Sequence, residues 1–297
     1  MDIALIAQTA ELAKPDQPGA AGIDAEALRG FARTAEEAGF AAVSVAGLVA
    51  GQDVAAVASF ILHSTTGLGV FLKHRIGAVP PTIAAQHLAM LDQLSGGRVN
   101  VAFEPDRGES LASQEEQLAR VDEYLVLLKR LWSNTRPFDH EGTYYRLASA
   151  FSAAKPCQKP HIPLSLGGLS GTAVNIAGRH ADIFDLPQAS EDETRQTITR
   201  VKASAACHRR ADAIRFSHPL AWTGAGPEQT ALALLGLRDL GVTDILVHGL
   251  RDPEALRWFG AHVLPLVRRA LERQDLHRQP QGGAPAGFGE AASRAWQ

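Results

Sequence analysis

Cysteine, metal-ligand spacings, charge of one sign and long apolar runs are all scarce in this chain, and each shortage removes a class of function. Only Cys157 and Cys207 occur in 297 residues, with no CxxC spacing. Neither a disulfide framework nor a zinc knuckle is supported. The eleven histidines fall without an HxH or HExxH pattern, so no metal is expected. Lys and Arg number 29 against 32 Asp and Glu, a net charge of -3 with both signs mixed along the chain. No basic field exists to hold nucleic acid or an anionic membrane, which leaves small molecules and proteins as partners. The opening MDIALIAQTAELAKP has an acid at position 2 and an apolar run too short for a signal peptide or a membrane span. The expected location is the cytoplasm.

What the chain does have is a regular alternation. Eight short runs rich in Val, Ile and Leu lie at 3–7, 41–47, 68–74, 99–104, 162–168, 182–188, 214–222 and 243–249. A segment of helical period follows each one, giving eight helices. Continuous apolar strands imply a parallel sheet covered on both faces, and eight βα units in this length fit a closed (β/α)8 TIM barrel. An open doubly wound sheet is the runner-up, disfavoured because no GxGxxG follows the first strand. Local punctuation agrees: Pro227 at a first turn, Asp252 before Pro253 as an N-cap, and Gly96 and Gly97 ending the third helix. The stretch 137–160 is too long for a simple connection and reads as an irregular or hairpin excursion at the rim. One barrel domain is expected over 1–274, with a Gly-, Pro- and Ala-rich tail over 275–297 expected to be disordered.

In such a barrel the site lies where the strands end at their C-terminal side. There the sequence offers Ala46-Gly47, Lys73-His74-Arg75, Glu104-Pro105-Asp106-Arg107, Gly167-Gly168-Leu169-Ser170, the stretch 185–188, Trp222-Thr223 and His248-Gly249. Gly167, Gly168, Leu169 and Ser170 open a helix, where backbone N–H groups, hydroxyls and the macrodipole favour an anion such as a phosphate. The alternative is a tight turn that needs glycine only for its dihedrals. Lys73, His74 and Arg75 put three donors at one barrel end, with His74 the best candidate for a general acid near neutral pH. A solvated rim would show the same three residues. Glu104 and Asp106 read either as a carboxylate pair or as partners of nearby cations. Trp222 could stack on a flat ligand or fill a barrel layer.

Several longer stretches carry a resemblance. PPTIAAQHLAMLDQLSGGRVNVAF (80–103), VDEYLVLLKRLW (121–132), FDHEGTYYRL (138–147) and KPCQKPHIPLSLGGLSGTAVNIAGRHADIF (155–184) resemble the bacterial luciferase-like flavin-dependent oxidoreductases. The alkanesulfonate monooxygenase branch is nearest, and the likeness runs from about residue 25 to 271. It implies reduced FMN supplied by a separate NAD(P)H-dependent reductase, or in some branches a deazaflavin, acting on a small organic substrate in a homodimer. Carried onto this chain, it puts the flavin phosphate over Gly167, Gly168, Leu169 and Ser170, with the ring toward His74, Phe103 and Glu104.

The chain also departs from that pattern. Leu169 and Leu118 stand where relatives place a small polar residue and a phosphate-binding tyrosine. Pro219 and Ala221 replace an Arg and a His of the sulfonate branch, and Ala50 replaces its cysteine. The long insertion that usually follows the seventh strand is missing. A rival expectation is therefore a barrel that has lost catalysis and serves as a flavin- or ligand-binding or partner subunit, and another is a deazaflavin-dependent dehydrogenase.

Overall fold

The structure, a computed structural model, describes residues 4–8, 24–45, 53–104, 113–250 and 252–278. Eight parallel strands close a barrel: β1 (Ala4–Gln8), β2 (Ala42–Val45), β3 (Gly69–Arg75), β4 (Val99–Glu104), β7 (Leu164–Gly167), β8 (Ile183–Asp185), β9 (Arg215–Ala221) and β10 (Asp244–His248). The ring closes where β1 pairs with both β2 and β10. Between β4 and β7 the excursion is an antiparallel hairpin, β5 (Phe138–Glu141) with β6 (Arg146–Ala150).

The helices start where the chain supplies acceptors for their first N–H groups. Asp24 caps α1 (Ala25–Ala38), Asp53 caps α2 (Val54–Ser64), and Ser113 with Glu116 forms a capping box on α4 (Gln114–Ser133). Ser170 caps α5 (Gly171–His180), and Ser190 with Glu193 boxes α6 (Glu191–Cys207). Pro81 opens α3 (Pro81–Ser95) and Pro227 opens α7 (Pro227–Asp239), positions where a missing N–H removes no intrahelical bond. Gly96 ends α3 in the left-handed conformation with φ of 67°.

The final helical segment differs from expectation. It divides into α8 (Pro253–His262), capped by Asp252, and α9 (Leu264–Arg278), so the described residues hold nine helices. Pro265 is the physical reason, because it lacks an N–H and its ring crowds the carbonyl four residues back. Helix α9 also passes residue 275, where the tail was expected to begin, and positions 279–297 lie outside the described residues.

Strand alternation sorts the interior into two bodies. Ile6, Ala42, Phe71 and Ile183 face the lumen with Leu246 against them, while Val70, Leu72, Val101, Phe103, Phe184 and Phe216 join the helices in the larger outer core. Since successive side chains on a strand point to opposite faces, these assignments fix which neighbours face the mouth.

Candidate active site

Lys73 and Arg75 share the lumen face of β3 with Phe71, and His74 does not. Its imidazole points outward to α4, where Nε2 lies 2.8 Å from the Tyr124 hydroxyl and the ring stands edge-on to Phe103 at 5.4 Å. Tyr124 is fully buried and its ring lies 5.7 Å from Tyr145, whose hydroxyl accepts from Arg120 Nε at 3.0 Å. Burial lowers His74 to a pKa of about 4, and burial pushes the Tyr124 phenol above its usual range. At neutral pH the pair is uncharged. Lys73, His74 and Arg75 therefore occupy one end of the barrel without converging on one point.

On the lumen side, Lys73 Nζ meets Glu104 Oε1 at 2.7 Å. Glu104 thus has a cation partner. Pro105, Asp106 and Arg107 lie outside the described residues, as do Ala46, Gly47 and Ala50. Phe103 is buried on the outer face of β4, so Phe103 and Glu104 are separated by the sheet.

Gly167, Gly168, Leu169 and Ser170 form the turn from β7 into α5. Gly168 has φ of 120°, and a Cβ there would lie 2.9 Å from the Ala173 Cβ. Only glycine takes that conformation without strain. The Ser170 hydroxyl oxygen accepts from Ala173 N at 3.2 Å, and the Leu169 carbonyl accepts from Arg200 Nη1 at 2.9 Å. The Leu169 side chain is half exposed. As the first two residues of the helix, Gly171 and Thr172 have N–H groups with no intrahelical acceptor, and they point out of its positive end. A Cβ added at Gly171 would meet nothing within 4 Å, so the space in front of this turn is open.

The loop adjoins the lumen through a residue that sequence reading treated only as a strand end. Gly167 pairs in register with Asp185, which pairs with Ser217. Asp185 Oδ1 accepts from the hydroxyls of Ser165 and Ser217, both buried. Burial raises the Asp185 pKa, against the lowering pull of the two serines and of the Lys73 charge, while Asp244 adds to the rise. The signal available in the sequence was period two: Ser165 and Gly167, Ile183 and Asp185, and Ser217 and Pro219 each share a face.

Two further positions line the mouth. Pro219 and Ala221 follow Ser217 on the lumen face of β9, and only residues 222–226 join that strand to α7. Trp222 turns outward, stacking on Trp258 at 5.3 Å with its edge to Phe259. Leu118 packs against the outer core. No helix among the described residues is long and apolar enough to cross a membrane.

Comparison with known proteins agrees with the barrel fold. Residues 1–235 match the family described as luciferase-like monooxygenase. An FMNH(2)-dependent dimethylsulfone monooxygenase of Pseudomonas putida is 26% identical, the alignment covering 84% of this chain and 90% of that protein. In fold, a long-chain alkane monooxygenase superposes with a TM-score of 0.79 at 13% identity, over 95% of this chain and 94% of that one. An F420-dependent secondary alcohol dehydrogenase superposes with a TM-score of 0.72 at 16% identity, over 90% of this chain and all (100%) of that one.

Proposed function

The chain belongs to the luciferase-like monooxygenase family, and from that premise we propose that it is a flavin-dependent oxidoreductase of monooxygenase type, using reduced FMN on a small organic molecule. The supporting observation is the turn at Gly167, Gly168, Leu169 and Ser170, which adjoins the polar mouth of the barrel. Its N–H groups, the left-handed backbone that Gly168 allows and the open space before Gly171 fit a terminal phosphate. Leu169 contributes backbone only, and the Ser170 hydroxyl can donate outward while its oxygen caps the helix. A reduced flavin held there would supply the two electrons that reaction with dioxygen requires.

The remaining residues bind, orient and exclude. Glu104, paired with Lys73, presents an exposed carboxylate at the lumen rim, and Phe103 packs on the far side of the sheet behind it. His74, first considered as a proton donor, is a neutral imidazole locked to Tyr124. It is better read as a positioning residue that fixes the end of β3 against α4.

A separate NAD(P)H-dependent reductase is the proposed source of reduced flavin, a reading supported by the similarity to an FMNH(2)-dependent monooxygenase. A homodimer is favoured by the stripe of exposed Ile83, Met90 and Leu94 along α3. Sedimentation at micromolar concentration should give twice the monomer mass.

One observation favours a second reading, a deazaflavin-dependent dehydrogenase. The short 222–226 connection supplies no long cover at that edge of the mouth, and hydride transfer tolerates an open site better than oxygen chemistry does. Visible difference spectra decide between the two. Adding FMN, oxidised and then reduced under argon, should perturb the flavin bands. Perturbation of a deazaflavin alone would replace FMN, and an unperturbed spectrum for both would leave a barrel without a flavin.

A further inference from the structure

Two of the four tryptophans stand together on the outer side of the barrel's C-terminal end, and neither is fully covered. Trp222, the first residue after β9, stacks on Trp258 of α8 with ring centroids 5.3 Å apart, and Trp258 stacks in turn on His262 at 5.1 Å. The fully buried Phe259 meets Trp222 at 6.2 Å and anchors the rings to the core. Beside them opens a cavity of about 360 Å³, lined by Trp222, Gly224, Asp252, Glu254, Ala255 and Trp258. Its polar side chains are two exposed carboxylates, and among the described residues no lysine, arginine or histidine lines it. Glu254 has no ion pair or hydrogen bond to its side chain among those residues. The start of α8 adds little positive field, because Pro253 has no N–H and the Ala255 N–H is taken by Asp252 Oδ1 at 2.8 Å. Of the first three helical positions, only Glu254 keeps a free N–H. An anion would meet two like charges there.

We propose that this cleft binds a small organic cation with a methylated ammonium head group, through the indoles of Trp222 and Trp258 and the charges of Asp252 and Glu254. A quaternary ammonium has no N–H to satisfy and is weakly hydrated, so it gives up little on leaving water, and the negative π-surface of an indole attracts its charge. The carboxylates add an attraction that a neutral ligand of the same shape does not feel. The volume lies within the range of small-molecule sites. Because Trp222 turns away from the lumen, the cleft is separate from the barrel mouth and does not depend on the flavin reading.

The probes are choline and 3,3-dimethylbutan-1-ol, which share a shape and differ in the positive charge, titrated at pH 8 and constant ionic strength by tryptophan fluorescence and calorimetry. Choline should perturb the fluorescence saturably and bind about tenfold or more tightly than the alcohol. Glu254→Gln, an exposed change that leaves the Asp252 cap in place, should weaken choline about threefold and leave the alcohol unchanged. Trp258→Leu should remove the fluorescence response to choline. Equal affinities for the two probes overturn the proposal, as does a choline affinity unchanged in E254Q or a response that survives in W258L. Should W258L fail to fold, the probe comparison and E254Q decide without it. FMN should bind equally well with and without choline. Competition between the two would put the cation in the barrel mouth and overturn the separate site.

Discussion

The two faces of β3 and β4 carry similar residue types and use them differently. Outward, His74 is bonded to Tyr124 and Arg120 to Tyr145, the two tyrosine rings lie 5.7 Å apart, and Glu123 is held by His140 and the hairpin backbone. Inward, Lys73 and Glu104 form a pair at the rim, while Asp185 accepts from Ser165 and Ser217. The outer set is closed on itself and fixes α4 and the β5–β6 hairpin to the barrel. The lumen set lies at the open end of the barrel, with Lys73 and Glu104 both exposed to solvent. The lumen side is therefore where a ligand has access.

If the outer set is structural, disrupting it should cost stability and spare the site. Tyr124→Ala removes a fully buried ring and should destabilise by about 3–5 kcal/mol in denaturant titration, with the surviving fold still preferring FMN to riboflavin. Loss of that preference without loss of stability would place the tyrosine in the site. The converse substitution is Gly168→Val. Its Cβ would meet Ala173 in a left-handed backbone, so FMN affinity should fall about a hundredfold by calorimetry, from strain and a blocked approach together. A variant that binds FMN normally would separate the turn from the cofactor.

Acid should weaken the outer set too. An unfolded histidine titrates near 6.5, whereas folded His74 titrates at about 4, so between these values the unfolded chain binds the extra proton. The contribution of His74 is complete above pH 6.5 and is lost as pH falls toward 4. Because the imidazole keeps some solvent contact, its share is on the order of 1–2 kcal/mol. Thermal melts from pH 7.5 to 4.5 should show the decline, and His74→Phe should flatten it. A slope unchanged by that substitution would assign the decline to other histidines, such as His180, which burial also lowers to about 4.

How much of this was legible in the sequence depends on the range of the signal. The order of the eight barrel strands was legible because each apolar run and the helical period after it are local. The caps at Asp252 and Gly96 were legible for the same reason. Pro265 also carried a local signal for the break between α8 and α9, and it was overlooked inside an otherwise periodic helix. The faces of the strands were harder. Lys73, His74 and Arg75 read as one cluster in the chain, but the pleat sends the middle one to the other side of the sheet. Asp185 was less visible still, because its partners Ser165 and Ser217 stand on the two neighbouring strands and only the parallel pairing of β7, β8 and β9 sets them side by side.

The smallest expected effect concerns one hydroxyl. Ser170→Ala should reduce FMN affinity several-fold, roughly 1 kcal/mol for a single bond, and leave riboflavin affinity unchanged. An equal change for both ligands would mean that the serine serves only as the cap of α5.

The account stands most directly on the anion preference of the turn at Gly167, Gly168, Leu169 and Ser170. Calorimetric titration of the wild type with FMN and with riboflavin isolates it, since the two share a ring and differ in the phosphate. FMN should bind about tenfold or more tightly, as charge-assisted bonds from free helix N–H groups predict. Equal affinities would contradict the account and reduce the loop to a strand-to-helix turn.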